Sequence, residues 1–180
     1  MPSRWIQFAT SLTLVAMAPA VAAQQTTNAS APTARASPAC ASAEHRQFDF
    51  WLGEWEVRRA DGKLAGRNTI TREHGGCVLQ ERYAAVGGYT GTSLNIYDAT
   101  RKRWHQTWTD NGGLLLELDG HFRDGKMILR GETLDSAGKV VQERITWTPR
   151  QDGKVRQLWE QSADGGATWT VAFDGIYTKQ

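Results

Sequence analysis

The sequence lacks the short motifs that usually carry catalysis or hold a metal. It has no Gly-x-Ser-x-Gly elbow, and its glycine-rich segments stand between extended stretches rather than before a helix, as a phosphate-binding loop would. Its four histidines show neither H-x-H nor H-E-x-x-H spacing. The sequence therefore predicts no nucleophilic triad, no metal site and no cofactor.

Charge of one sign and long apolar runs are also scarce. The formal net charge is +2, which provides no concentrated basic face for nucleic acid or for an anionic membrane. After residue 23 no apolar run approaches the roughly 20 residues of a membrane-spanning helix. We therefore expect a soluble protein without a nucleic-acid partner. Because charged turns give no strong signal for self-association, we expect a monomer.

The N-terminal residues have the composition of an export signal. Arg4 provides a positive start, Ile6 to Ala18 is largely apolar, and small residues at positions 20–23 suit a signal peptidase. We predict a signal peptide over residues 1–23 and a periplasmic or secreted location. Residues 24–39 contain almost no large apolar side chains and are predicted to be a disordered linker. One domain then occupies residues 40–180.

Only two cysteines are present, Cys40 and Cys77. In an oxidising compartment, two cysteines in a small exported domain favour a disulfide over free thiols. A reactive thiol would need a neighbouring base, and although His74 is near Cys77 in sequence, nothing completes a triad. We predict a disulfide that joins the start of the domain to an early strand.

From Phe50 onward, extended stretches alternate with short glycine-containing turns, and no segment keeps a helical period. Eight such turns separate about ten predicted strands, at residues 61–63, 75–76, 87–88, 111–113, 124–126, 137–139, 152–154 and 164–166. Turns this short favour antiparallel neighbours, because a parallel crossover needs about a dozen residues or more. An open sheet would leave unpaired edges. We predict an all-β fold, a closed up-and-down antiparallel β-barrel of about ten strands with interior space.

Polar residues interrupt the apolar faces of several predicted strands. Glu81 alternates with Leu79 and Tyr83, for example. If these faces point inward, the polar groups are buried and need partners. They either form an internal hydrogen-bond network or orient a ligand in an aromatic pocket, and both interpretations stay open. The predicted ligand-binding residues are Glu81, Ser93, Asn95, Tyr97, Trp104, Gln106, Trp108, Glu143, Gln157 and Trp159.

The opening of the domain, Phe48-Asp49-Phe50-Trp51-Leu52-Gly53-Glu54-Trp55, resembles that of an uncharacterised family of secreted bacterial proteins. Within it, Gly53-x-Trp55 is similar to the G-x-W signature on the first strand of lipocalins and related calycin barrels. In those proteins the tryptophan closes one end of the barrel and a basic residue near the last strand packs over it. The resemblance implies a lipocalin-like barrel with Lys179 in that position, and it implies no reaction.

A second resemblance concerns a single hairpin. The pattern Ser162-x-Asp164-x-Gly166-x-Thr168-Trp169 is similar to the Asp-box of sialidase propellers. A propeller needs several blades, and this chain has one copy of the motif. We therefore interpret the motif as a rigid hairpin before the last strand, in which Asp164 and Trp169 have structural roles.

Together these features favour an exported protein that holds a small hydrophobic or amphipathic molecule in a barrel cavity. Three alternatives stay open. A buried pair of Glu81 and Glu143 would suit an isomerase or hydrolase if both carboxyls face one cavity. Resemblance to nitrobindins, ten-stranded barrels that bind haem through a histidine late in the chain, would imply haem. No histidine follows His121 here, so His105 or His121 would have to reach the cavity. An interaction module would have a filled core.

Overall fold

A computed structural model describes residues 39–180, and the predicted signal peptide and almost all of the predicted linker lie outside these residues. The described part of the chain forms ten strands in one closed barrel. The strands are β1 (Gly53–Arg59), β2 (Leu64–Glu73), β3 (Val78–Ala85), β4 (Thr90–Asp98), β5 (Arg103–Asp110), β6 (Leu115–Arg123), β7 (Lys126–Leu134), β8 (Val140–Pro149), β9 (Val155–Ser162) and β10 (Thr170–Lys179).

Every strand is antiparallel to its neighbours in sequence, and β1 pairs with β10 to complete the ring. The predicted closed up-and-down barrel is therefore confirmed. Closure leaves no sheet edge exposed, which is the physical reason that a meander of this length rolls up. The ring order places β3 opposite β8, because five strand-to-strand steps separate them in either direction. This opposition decides which side chains can meet in the interior.

Tight turns join the strands where the glycine pattern predicts them, and each of the eight predicted turns contains a glycine with positive φ. The pattern misses the turn between β4 and β5, which has no glycine. There the Asp98 carboxylate accepts hydrogen bonds from the backbone N–H groups of Thr100 and Arg101, at 2.9 and 3.0 Å. Lys102 takes the left-handed conformation, with φ of 54°. An aspartate side chain thus replaces glycine as the turn-forming element.

Residues 44–51 close the end of the barrel at which β1 begins, and we call them the plug. They form two short 3-10 helices, Glu44–Arg46 and Asp49–Trp51. Phe48 and Trp51 are fully buried, and their rings stack with centroids 4.9 Å apart. The Phe48 ring also meets Trp147 from β8, at 5.2 Å between centroids. None of the helices within residues 39–180 has the length and apolarity to span a membrane.

The Gly53-x-Trp55 segment fastens the plug to the barrel. The Trp55 indole N–H donates to the backbone carbonyl of Trp51 at 2.9 Å. The Lys179 ammonium lies 5.5 Å from the centroid of the Trp55 ring, a cation–π contact at the position that the resemblance implies. Glycine is required at position 53, because φ is 129° and a Cβ there would lie 2.8 Å from Lys179 Cε.

The predicted disulfide between Cys40 and Cys77 is present, with the two Cα atoms 5.0 Å apart. It joins the chain just before the plug to the turn between β2 and β3. Arg46 strengthens this junction, because its guanidinium donates to the carbonyls of Cys40 at 2.9 Å and Gly76 at 2.6 Å. The disulfide and the Arg46 hydrogen bonds therefore attach the chain around the plug to this end of the barrel.

Period-two alternation of the strand faces is interrupted in β10 and, at Ala65, in β2. Alternation counted back from Tyr177 would place Val171 inside, but Val171 is 62% exposed. The register between β10 and β9 shifts between Val171 and Phe173, which leaves Ala172 as the extra residue of a β-bulge. Alternation alone would therefore assign Val171 to the wrong face.

The hairpin between β9 and β10 is held by the Asp-box residues. The Asp164 carboxylate accepts hydrogen bonds from the hydroxyl and the backbone N–H of Thr168, at 2.6 and 2.9 Å. These bonds, the hydroxyl first, lower the pKa of Asp164 to about 2. Trp169 lies over the outer wall, with the Arg144 guanidinium 4.0 Å from its ring centroid. The motif acts locally in this hairpin.

Candidate functional site

A cavity of about 190 Å³ occupies the half of the barrel remote from the plug. Its walls are mainly aromatic, with aliphatic residues between the rings and three polar side chains deeper inside. Such a composition is typical of a small-molecule site. The volume is close to that of an apolar cavity that takes one benzene ring, about 150 Å³. The lining residues are Glu81, Tyr83, Tyr89, Gln106, Trp108, Leu116, Ile145, Gln157, Trp159, Ala172, Phe173 and Tyr177.

Glu81, on β3, is the most unusual of these residues, because its carboxyl is buried with 3% exposure. Its Oε1 accepts a hydrogen bond from Asn68 Nδ2 on β2, and its Oε2 accepts one from Ser93 Oγ on β4, both at 2.6 Å. Burial raises the pKa of Glu81 to about 7, against the opposing effect of the bonds from Ser93 and Asn68. The Glu81 carboxyl therefore titrates near neutral pH.

A chain of amides fixes the direction of the Ser93 hydroxyl. Asn95 Nδ2 donates to Ser93 Oγ at 2.9 Å, and Gln106 Nε2 donates to Asn95 Oδ1 at 2.7 Å and more weakly to Ser93 Oγ at 3.4 Å. Because Ser93 Oγ accepts from both amides, its single proton is directed at Glu81. The network therefore presents donors to Glu81 and favours an ionised carboxylate.

Tyr177 and Gln157 complete the polar floor of the cavity. The Tyr177 hydroxyl donates to Gln157 Oε1, and Asn68 Nδ2 approaches the same hydroxyl at 3.4 Å. Burial raises the pKa of Tyr177 well above its usual value, so the phenol stays protonated. The floor thus combines one ionisable carboxyl with neutral groups.

Asp110 organises the mouth of the cavity. Its Oδ2 accepts hydrogen bonds from the Tyr89 hydroxyl at 2.6 Å and from the Trp108 indole N–H at 3.0 Å. Partial burial would raise the pKa of Asp110, but these bonds and two from backbone N–H groups hold it below the usual value. Gly91 on β4 gives the Trp108 ring its place, since any Cβ at that position would overlap the ring.

Exposed apolar side chains cluster on the rim at this end of the barrel. Strands alternate in direction, so the turns after β1, β3, β5, β7 and β9 all stand around the mouth. Most of the large hydrophobic side chains that the described residues expose lie beside these turns. They are Val86, Tyr89, Leu115, Leu134, Val140 and Val171. An apolar molecule approaching the cavity therefore meets a compatible surface.

The structure divides the ten residues predicted to bind a ligand into groups. Glu81, Gln106, Trp108, Gln157 and Trp159 line the cavity. Ser93 and Asn95 belong to the hydrogen-bond network behind Glu81. Whether any of them binds a ligand stays a prediction.

Tyr97, Trp104 and Glu143 do not line the cavity. Trp104 is packed at the plug, 5.6 Å from the Phe48 ring centroid, and Tyr97 lies 6.1 Å from Trp104. Glu143 accepts hydrogen bonds from Trp159 at 2.6 Å, from Thr133 at 2.7 Å and from Gln161 at 3.0 Å. Trp104 and Tyr97 thus pack at the closed end, and Glu143 links β8 to β7 and β9.

Seven cavity residues are missed by the sequence prediction. Five of them carry a usable signal, because they occupy alternating positions on inward faces: Tyr83, Leu116, Ile145, Phe173 and Tyr177. The other two depend on features that the alternation does not contain. Tyr89 stands beside a turn, and Ala172 is the extra residue at the bulge of β10.

The placement of the side chains does not support the carboxylate-pair or the haem alternative. Glu81 lines the cavity, whereas Glu143 does not and accepts hydrogen bonds from Trp159, Thr133 and Gln161. His105 binds Asp119 on the outer surface, at 3.0 Å from Nδ1 to Oδ1, and His121 lies in an outer groove. Within residues 39–180, no three His, Cys, Asp or Glu side chains cluster as metal ligands.

The raised pKa of Glu81 predicts how stability depends on pH. Between about 4.5 and about 7 the folded protein holds a proton that the unfolded chain has lost, so stability falls as the pH rises through this window. Glu81→Gln removes this dependence. The free energy of unfolding of Glu81→Gln minus that of wild type should therefore increase by about 3 kcal/mol when the pH is raised from 4 to 8.

Urea denaturation at both pH values measures this gain. Glu117→Gln, at an exposed position of β6, is the matched control and should follow wild type. An identical pH dependence in wild type and Glu81→Gln would show that the buried carboxyl titrates normally.

No known protein-family model matches the chain, and no curated protein is significantly similar to it. The function must therefore be inferred from the site itself.

Proposed function

We propose that this protein is an exported, lipocalin-like binding protein that holds a small hydrophobic or amphipathic molecule in the barrel cavity. The observation that carries the proposal is the aromatic cavity of about 190 Å³, with its polar floor at Glu81, Gln106 and Gln157. An interior filled from end to end would not support it. Here side chains fill only the half of the barrel beneath the plug.

Magnitudes indicate that ring burial and polar contacts must act together. A ring that buries roughly 150–250 Å² gains about 4–6 kcal/mol at about 25 cal/mol per Å². The loss of translational and rotational freedom costs at least about 4 kcal/mol. Apolar contact with Trp108 and Trp159 therefore nearly balances the cost of association. The polar floor then decides whether a ligand is retained.

The proposed periplasmic or secreted location rests on two features. The signal-like composition of residues 1–23 favours export, and the disulfide between Cys40 and Cys77 favours an oxidising compartment. Either feature alone is weaker than the pair. A ligand-binding protein in that compartment would meet its ligand outside the cytoplasm.

Tryptophan fluorescence tests the binding proposal. Titration of the purified protein with a panel of lipids, quinones and single-ring aromatics should change the emission, because Trp108 and Trp159 line the cavity. Trp108→Phe and Trp159→Phe should each reduce the response by about half or more, since each removes one indole of the pair at the cavity. Trp169→Phe, on the outer wall, is the control and should leave the response unchanged.

Native mass spectrometry of the protein isolated from its own host provides the complementary measurement. A bound mass would identify the ligand directly. An unchanged emission across the panel, together with a ligand-free mass, would contradict the proposed function.

A further inference from the structure

The buried carboxylate of Glu81 constrains the chemistry of the ligand. Its two oxygens accept one hydrogen bond each from the protein, whereas an ionised carboxylate has roughly four acceptor sites. Burial and the bonds from Ser93 and Asn68 account for its titration, and no cationic side chain of residues 39–180 contributes. When Glu81 is ionised, its carboxylate is therefore a buried negative charge without a positive partner among residues 39–180, and in the absence of a ligand protonation relieves the cost of that charge.

The walls around Glu81 suit a positive charge. Tyr83, Trp108, Trp159 and Tyr177 line the same cavity. Aromatic rings attract a cation to their faces, and the attraction strengthens when the cation is removed from water. A buried anion and an aromatic wall thus favour the same ligand group. The neutral Gln106 and Gln157 amides leave that preference unopposed.

The other ionisable groups near the cavity do not neutralise Glu81. Tyr83 and Tyr177 are its phenolic neighbours, and burial raises the pKa of both. Asp110 at the mouth adds a second negative charge, although Tyr89 and Trp108 already bind its Oδ2. Arg59 stands outside the cavity, in a groove of the mouth shared with Tyr83. No cationic side chain within residues 39–180 lines the cavity itself, so a cationic ligand there would meet the negative charge of Glu81 unopposed.

On the basis of the proposed binding function, we infer that the cavity takes a small organic cation, a protonated amine with a compact apolar body, whose ammonium group binds Glu81 and whose body contacts the aromatic walls. The volume of about 190 Å³ limits that body to about one ring or a short branched chain. The ammonium donates to the free acceptor sites of the carboxylate. The ligand thereby supplies a positive charge that no described side chain provides to Glu81.

Four single-ring probes of similar shape test the inference: benzylamine, benzyl alcohol, benzoate and toluene. The shifts of the Trp108 and Trp159 indole N–H signals in NMR titrations give the affinities. At pH 8 benzylamine should bind about tenfold or more tightly than benzyl alcohol or toluene, because a hydrogen bond to a charged group is worth more than a neutral one. Benzoate should bind most weakly, because Glu81 repels it.

Glu81→Gln should reduce the affinity for benzylamine to that for benzyl alcohol and leave toluene unaffected. The variant has a route to accommodate the amide, since Asn68 Oδ1 is buried without a partner and can accept from it once the Asn68 amide turns. Glu117→Gln is the charge-matched control at an exposed site and should bind as wild type does.

The pH dependence of benzylamine binding to the wild-type protein provides a second test. Lowering the pH from 8 to 5.5 protonates Glu81 and should weaken benzylamine binding about tenfold or more.

The outcomes separate the two proposals. If benzyl alcohol or toluene binds as tightly as benzylamine, or if benzoate binds best and gains affinity at low pH, the cationic ligand is overturned while small-molecule binding stands. If none of the four probes shifts either indole signal at millimolar concentration, both the ligand class and the proposed function are overturned.

Discussion

Replacing Trp51 by alanine is expected to lower the free energy of unfolding by about 3–5 kcal/mol, one of the largest single-residue effects in this protein. The Trp51 side chain is fully buried, and its ring lies 5.4 Å from the Trp147 centroid and 6.4 Å from the Tyr177 centroid. Truncation would leave a void between the plug and the barrel, and residues 44–51 are too few to refill it. Urea denaturation monitored by circular dichroism measures the loss.

Trp169→Ala is the matched control, because it removes the same side chain from the outer wall. It should cost no more than about 1–2 kcal/mol, for the contact with Arg144 and the hydrogen bond to Gly166. If both variants lose equal stability, the plug is not the centre of the core. Because Trp51 does not line the cavity, Trp51→Ala protein that still folds should keep its affinity for the probes.

Removal of the disulfide by Cys40→Ser with Cys77→Ser should cost about 4 kcal/mol, because the bond closes a loop of 37 residues in the unfolded chain. For a domain of this size the melting temperature should fall by on the order of 15 °C. The loop includes the plug, β1 and β2, so its loss releases the closed end of the barrel. Differential scanning calorimetry measures the shift.

Reductant provides the control for the double variant. Dithiothreitol should lower the melting temperature of wild type to that of the variant, and it should leave the variant unchanged. A wild-type melting temperature that does not respond to reductant under unfolding conditions would mean that the bond does not contribute to stability. The cavity lies at the other end of the barrel, so ligand affinity below the transition should be the same with and without the bond.

The architecture of the domain could be predicted because its signals are local. A glycine with positive φ allows a tight turn wherever it occurs, and alternation of polar and apolar residues follows from the pleat of a strand. The one turn that the glycine pattern missed uses Asp98. The wrong face that alternation assigns to Val171 follows from the bulge at Ala172. Both exceptions are local features of the backbone. An aspartate or an alanine also occurs in many other backbone conformations, so the sequence alone does not identify such a turn or bulge.

The candidate site was harder to predict, because a side chain lines the cavity only if it points inward and also lies at the right depth along the barrel axis. Trp104 and Trp108 point inward from the same strand, yet one packs against the plug and the other lines the cavity. Alternation reports the direction of a side chain and says nothing of its depth. The path of the plug across one end, which no strand pattern contains, decides which aromatic rings are core and which are wall.

The sequence by itself determined the all-β class, the up-and-down order, the disulfide and the inward position of Glu81, because each depends on the identity of a residue and on its near neighbours. Only the tertiary structure decided that Glu81 lines the cavity and Glu143 does not, that Glu81 has no cationic partner among the described residues, and that one half of the barrel is open. These are properties of ring closure, which sets distances between residues that lie far apart in the chain.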